Sequence, residues 1–117
     1  MGCPTFLNPP WQVPGWDPNN QAPGVSPINL TGSGVPNGAT VAFLALSVNG
    51  SPGQAASATD SSASVHSNRV RVQVSGVYND GLAFAPIFYD SSGTPWIYID
   101  NDSLSNLDVW VRVVGYN

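Results

Sequence analysis

The sequence has no lysine and no glutamate, one histidine (His66) and one cysteine (Cys3). Its ionic groups are seven aspartates and three arginines, Arg69, Arg71 and Arg112. Only 9% of the 117 residues are charged, and the formal net charge is -4; an average soluble domain is about one-quarter charged. Each shortage excludes a class. Three arginines cannot build the basic stripe that neutralises phosphates, so nucleic acid is excluded as a partner. An anionic membrane surface is excluded for the same reason. A single cysteine forms no internal disulfide, and Cys3 lies too near the terminus to read as a nucleophile. A lone histidine with no cysteine beside it builds no ordinary metal site. Without glutamate and lysine, and with little leucine, the strongest helix formers are missing. No apolar stretch approaches 18 residues, so no membrane-spanning helix is expected. No basic segment precedes an apolar run, so no secretory leader is expected. Phe6 occupies the position where a myristoylation signal needs serine or threonine.

What is present is 12 glycines, 11 prolines and many serines and asparagines, with 42% hydrophobic and 10% aromatic residues. That apolar content supplies a core for one domain. Residues 1–24 hold Pro4, Pro9, Pro10, Pro14, Pro18 and Pro23. Proline removes backbone donors, so this segment is expected as an extended, polyproline-like arm. Because it also carries Phe6, Leu7, Trp11, Val13 and Trp16, it is expected to be docked. It either lies on a neighbouring subunit or folds back so that Trp11 and Trp16 cap its own core.

Residues 25–117 read as strands and turns. Val25–Leu30 is a short edge strand, since Pro27 is tolerated only at an edge. Ala39–Val48 is apolar on both faces and reads as a central strand covered on both sides. Asn49–Gly53 is a turn. Gln54–Ser67, rich in serine and alanine, reads as a long surface loop with a short strand at Ala63–His66. Arg69–Val74 alternates as a half-exposed strand, and Gly76–Val77 breaks the parity as a bulge. Asn79–Gly81 reads as a hairpin turn. Leu82–Tyr89 is an edge or bulged strand because of Pro86. Asp90–Gly93 is a turn, and Pro95–Asp100 and Leu107–Tyr116 form the last pair. The expected fold is all-β, an antiparallel β-sandwich or barrel of jelly-roll or Ig-like type, with four strands from Arg69 to Tyr116 in a meander.

Motifs of specific chemistry are missing. A Ser-His-Asp triad would need His66, and no nucleophile elbow accompanies it. The aspartates fall mostly in turns, where they bond the local backbone, which argues against a glycosidase pair. Asp100, Asn101, Asp102 and Ser103 offer oxygens at alternating positions but lack the EF-hand glycine and glutamate. Asn29, Asn49 and Asn101 match the glycosylation sequon as chance occurrences in an asparagine-rich chain. No enzyme, metal or cofactor is expected.

The aromatic residues are more telling. Alternation places Ile97 and Ile99 opposite Trp96 and Tyr98. It also places Leu107, Val109, Val111 and Val113 opposite Trp110, Arg112, Val114 and Tyr116. With the last two strands paired in register, Trp96, Tyr98, Trp110 and Tyr116 would gather beside Arg112. Exposed patches of this composition mark protein interfaces or sugar platforms; the same residues could equally be covered by the second sheet and the arm.

Short length, absence of lysine and glutamate, a proline-rich arm and a β body with Gly/Ser/Asn turns together resemble the small all-β virion proteins of tailed bacteriophages. Capsid-decoration (cement) proteins and fibre or tail-tip modules are the kinds meant. The resemblance spans the whole chain in composition and layout. It implies a non-enzymatic structural protein of the virion, assembled in the host cytoplasm, that binds capsid or other virion proteins and forms homo-oligomers. The residues expected to make those contacts are Phe6, Trp11 and Trp16 of the arm and Trp96, Tyr98, Trp110, Arg112 and Tyr116 of the body. The alternative is a carbohydrate-binding or adhesin module in which Trp96, Tyr98 and Trp110 stack on sugar rings.

Overall fold

The alternating apolar pattern and the shortage of helix formers resolve into nine strands, with no helix among the described residues. The computed structural model describes residues 3–59, 71–73 and 78–117. In chain order the strands are β1 (Thr5–Gln12), β2 (Gly24–Asn29), β3 (Val41–Asn49), β4 (Ala55–Thr59), β5 (Arg71–Gln73), β6 (Tyr78–Pro86), β7 (Phe88–Tyr89), β8 (Pro95–Asn101) and β9 (Asp108–Tyr116). They form two antiparallel sheets. The first has the order β1-β9-β3-β6 and the second β2-β8-β4-β5, with the short β7 also paired to β8.

β3 is the central strand of the first sheet, as its apolar run predicts. It pairs with β6 along its whole length, from Val41 opposite Pro86 to Asn49 opposite Tyr78, and with β9 on its other side. One face of β3, Ala42, Leu44, Leu46 and Val48, is fully buried. These residues belong to one apolar cluster with Val109, Val111 and Val113 of β9, Ile97 and Ile99 of β8, and Ile28 and Leu30 at the end of β2. The expectation that β3 is covered on both sides is corrected. Its other face, Val41, Phe43, Ala45 and Ser47, is only half-buried.

The meander is also corrected. β6 pairs with β3, β8 belongs to the second sheet, and β9 lies between β1 and β3. The hairpin signal at Asn79–Gly81 is overridden, because those residues continue β6 opposite Val48, Ser47 and Leu46. A long ladder outweighs a local turn preference. Residues 54–59, expected in a loop, hold β4, in which all five residues are buried. Its alanines, with Ser57 and Thr59, offer little apolar surface but take little space between β8 and β5. The expected strand at Ala63–His66, the bulge at Gly76–Val77 and the ends of Arg69–Val74 lie outside the described residues.

The N-terminal segment is no free arm. Thr5–Gln12 is an edge strand on β9. Its prolines shape the pairing. Thr5 and Phe6 face Tyr116 and Gly115, and Trp11 and Gln12 face Val113 and Arg112, so Leu7–Pro10 bulge out opposite Val114 alone. Pro9 and Pro10 have no N–H to give a ladder and sit where none is required. Beyond β1, residues 13–21 form a strap bonded to the start of β9. The Val109 N–H donates to Pro18 O at 2.8 Å, and Gln21 and Leu107 exchange backbone bonds of 2.8 and 3.0 Å. The Trp16 indole Nε1–H donates to Val109 O at 2.9 Å. Leu7, Trp11, Val13 and Trp16 pack against the common core. Prolines also mark three sheet edges: Pro9 and Pro10 in β1, Pro27 in β2 and Pro86 at the end of β6.

Close approach of β1 depends on Gly115. A Cβ there would stand 2.6 Å from Thr5 O, well inside contact distance. The substitution Gly115→Ala is expected to push β1 off the sheet and to destabilise the protein by about 1–3 kcal/mol, the range for overpacking a tight site. Urea denaturation measures the loss, and amide exchange of Thr5–Gln12 locates it; unchanged exchange would contradict this account of the edge.

Candidate functional site

The two outer faces differ in character. On the first sheet the register sets three rows across the strands. Phe84 of β6, Phe43 of β3, Gly115 of β9 and Phe6 of β1 form one row. Leu82, Ala45, Arg112 and Gln12 form the next, and Asp80, Ser47 and Trp110 a third. The first row, with the neighbouring Leu82 of the second, is apolar and largely open. Phe6 is 71% exposed, Leu82 67% and Phe84 56%. Phe43 and Phe84 meet edge to face with centroids 5.3 Å apart, a favoured aromatic geometry. With Pro4 and Val114, these side chains line a wholly apolar hollow of about 460 Å³.

β6 reverses the usual amphipathic order. Its alanines, Ala83 and Ala85, are fully buried, while the larger Leu82 and Phe84 point away from the core. A strand that met only its own core and water would place them the other way round.

The third row borders a second, mixed cleft of about 420 Å³ between the strap and β9. Trp16 and Trp110 flank it, with Gln12, Ser47 and Arg112 among its lining. The Ser47 hydroxyl donates to Asp80 Oδ1 at 2.6 Å. Arg112 is the only cation with a described side chain, and no hydrogen bond or ion pair among the described residues engages its guanidinium.

The outer face of the second sheet carries Trp96 and Tyr98. Tyr98 lies against Phe88 with ring centroids 5.7 Å apart. The Trp96 indole N–H donates to Asp90 Oδ2 at 2.9 Å. Asp90 Oδ1 accepts from the backbone N–H groups of Ser92 and Thr94 at 2.9 and 3.0 Å. These bonds fix the turn and commit the Trp96 indole edge.

The expected single aromatic patch is therefore corrected. β8 and β9 lie in different sheets, so Trp96 and Tyr98 are separated from Trp110 and Arg112. Tyr116 leaves the patch too. The register shift between Val113 and Gly115 reverses the parity of β9, and Tyr116 packs against the core. Trp11 and Trp16 are partly buried on their own core, which was the fold-back alternative for the arm. Phe6, Trp110 and Arg112 remain on one outer face. Phe43, Leu82 and Phe84 were missed by the sequence reasoning. The available signal was Leu82-Ala83-Phe84-Ala85, where small and large residues alternate and either set could face inward. Asn101 ties the strap to its own loop, its amide donating to Gln21 O at 2.8 Å and Ser105 O at 3.1 Å.

The hydrogen bonds to Asp90 hold its carboxyl below the ordinary value of 3.8, the Trp96 indole contributing most and Thr94 and Ser92 next. A lowered folded pKa stabilises the fold fully above the unfolded value and loses that contribution as pH falls through the folded one. In Trp96→Phe, the Asp90 carboxyl should titrate closer to 3.8, and the loss of stability on acidification below that value should become shallower. Carboxyl NMR titration checks the first and acid denaturation the second; an unmoved titration would refute the indole's role.

Comparison with protein-family models, with curated proteins and with solved structures found no match.

Proposed function

We propose that this protein is a non-enzymatic structural subunit of a particle, of the virion decoration or fibre kind, that binds neighbouring subunits through the outer face of its first sheet. The observation that carries the reading is the reversed strand β6, with Ala83 and Ala85 inside and Leu82 and Phe84 outside. Together with Phe6 and Phe43 they make an apolar surface that water alone does not favour. Fully burying a side chain of this size contributes about 1.5–3 kcal/mol, and a few aromatic anchors dominate most interfaces. The low charge of the chain agrees with a surface meant to be covered.

The fold adds support by analogy. With β7 set aside, the orders β1-β9-β3-β6 and β2-β8-β4-β5 support reading the two sheets as a jelly-roll sandwich of two Greek keys, an architecture used by viral capsid and lectin domains. A fold of this kind hosts many functions; the open apolar face is what favours an interface here. The gripping role first expected of residues 1–24 passes to Phe6, since Trp11 and Trp16 serve their own core.

The test is the mass of the native species. Wild type should run as a discrete oligomer or bind its particle, by light scattering coupled to size exclusion. Leu82→Asp with Phe84→Asp should give a folded 12.2 kDa monomer, because both side chains already face solvent within the chain. A wild type that stays monomeric and binds no particle, or a double variant that assembles as before, would overturn the reading.

A further inference from the structure

We propose that the cleft between Trp16 and Trp110 is a binding site for a carboxylated saccharide, a short oligosaccharide containing hexuronate. The inference does not rest on the assembly reading. Ser47 of the cleft lies four residues along β3 from Phe43 of the apolar row, roughly 13 Å at the rise of a strand, while Arg112 and Gln12 share the intermediate row with Leu82.

Its volume of about 420 Å³ falls within the range of small-ligand sites, about 300–1,000 Å³. A pyranose ring has an apolar C–H face and a rim of hydroxyls. It therefore needs an aromatic surface beside a few polar groups, and this cleft has that composition.

The walls are pre-set. Trp16 is held by its bond to Val109 O, and its strap is bonded on the far side at Pro18 and Gln21. Trp110 projects from β9 and is 37% exposed. Little ordering is then left for the ligand to drive. Gln12 supplies an amide for the sugar rim, and the Ser47 hydroxyl, which donates to Asp80, is left to accept from a sugar hydroxyl.

Arg112 sets the ligand class. Its guanidinium is unengaged among the described residues, and none of the described residues lining this cleft is acidic; Asp80, bonded to Ser47, lies in the adjoining hollow that Arg112 also lines. The planar fork suits a carboxylate bidentately.

An acidic peptide is the rival with similar charge. Peptides commonly bind by adding a strand to a sheet edge, and this cleft opens on a face. Its two indoles give a flat ring more than they give a side chain.

The probe is trigalacturonate, titrated into the full chain by calorimetry and by the indole N–H NMR signals of Trp16 and Trp110. Its methyl ester, with the same rings and no charge, and an aspartate-rich peptide serve as comparisons. Trigalacturonate should bind and shift both indole signals. Esterification or Arg112→Gln should each weaken binding about tenfold, the loss expected for a charge-assisted bond. Trp110→Ala should weaken it further, and added salt should weaken binding of the acid but not of the ester. Thermal melts establish that the variants are folded; Arg112→Lys, retaining charge without the fork, should fall between wild type and Arg112→Gln. The proposal is overturned if millimolar trigalacturonate produces no heat and no indole shift, if Arg112→Gln binds as wild type does, or if the peptide binds at least as tightly as the sugar.

Discussion

The first sheet depends on one constraint: β3 must be bonded on both sides at once. With β6 along one edge and β9 along the other, its side-chain parity fixes which residues of three strands enter the core. A slip of one residue would exchange Leu44 and Leu46 for Phe43, Ala45 and Ser47. The register of β9 then sets the place of β1, and through β1 the strap and the Trp16 bond to Val109. The apolar row and the mixed cleft are both consequences of that central ladder, since each combines residues from strands that only β3 and β9 hold together.

Charge scarcity and side-chain placement point the same way. A chain with 9% charged residues has few ionic groups with which to solvate an outer face. What it does place on the first sheet is graded. Phe6, Phe43 and Phe84 lie at one end, Leu82 and Arg112 share the middle row, and Trp110, Ser47 and Asp80 lie toward the other end. On the second sheet Trp96 is bonded to Asp90 and Tyr98 lies against Phe88, as Phe43 meets Phe84 on the first. The first sheet differs in how far its apolar side chains stand open, Phe6 at 71% and Leu82 at 67% against Phe88 at 37%.

The all-β class, the central position of β3, the edge placement of β2 with Pro27, the turn at Asp90–Gly93 and the extents of β8 and β9 were legible within a residue or two. All rest on local pattern. Pairing was not legible. Residues Pro95–Asp100 and Leu107–Tyr116 are neighbours in sequence and were joined into one patch, but strand order is a long-range property that periodicity does not encode. The sign of burial in β6 failed for a related reason. Alternation shows that two faces exist, and only the partner strands decide which is inside. β4 was missed because small side chains carry a weak propensity signal, although a narrow space selects them. The N-terminal prolines were correctly read as incompatible with a central strand and were too readily taken to exclude an edge one.

The prolines at β1, β2 and β6 limit how copies of this chain can meet. A strand without a full set of donors is a poor template for another strand. Neighbours are thereby steered from open-ended main-chain pairing toward side-chain contacts that saturate once a face is filled. In the proposed particle, contacts of this kind end once a face is filled, whereas a fibril needs a main-chain ladder that these edges do not supply.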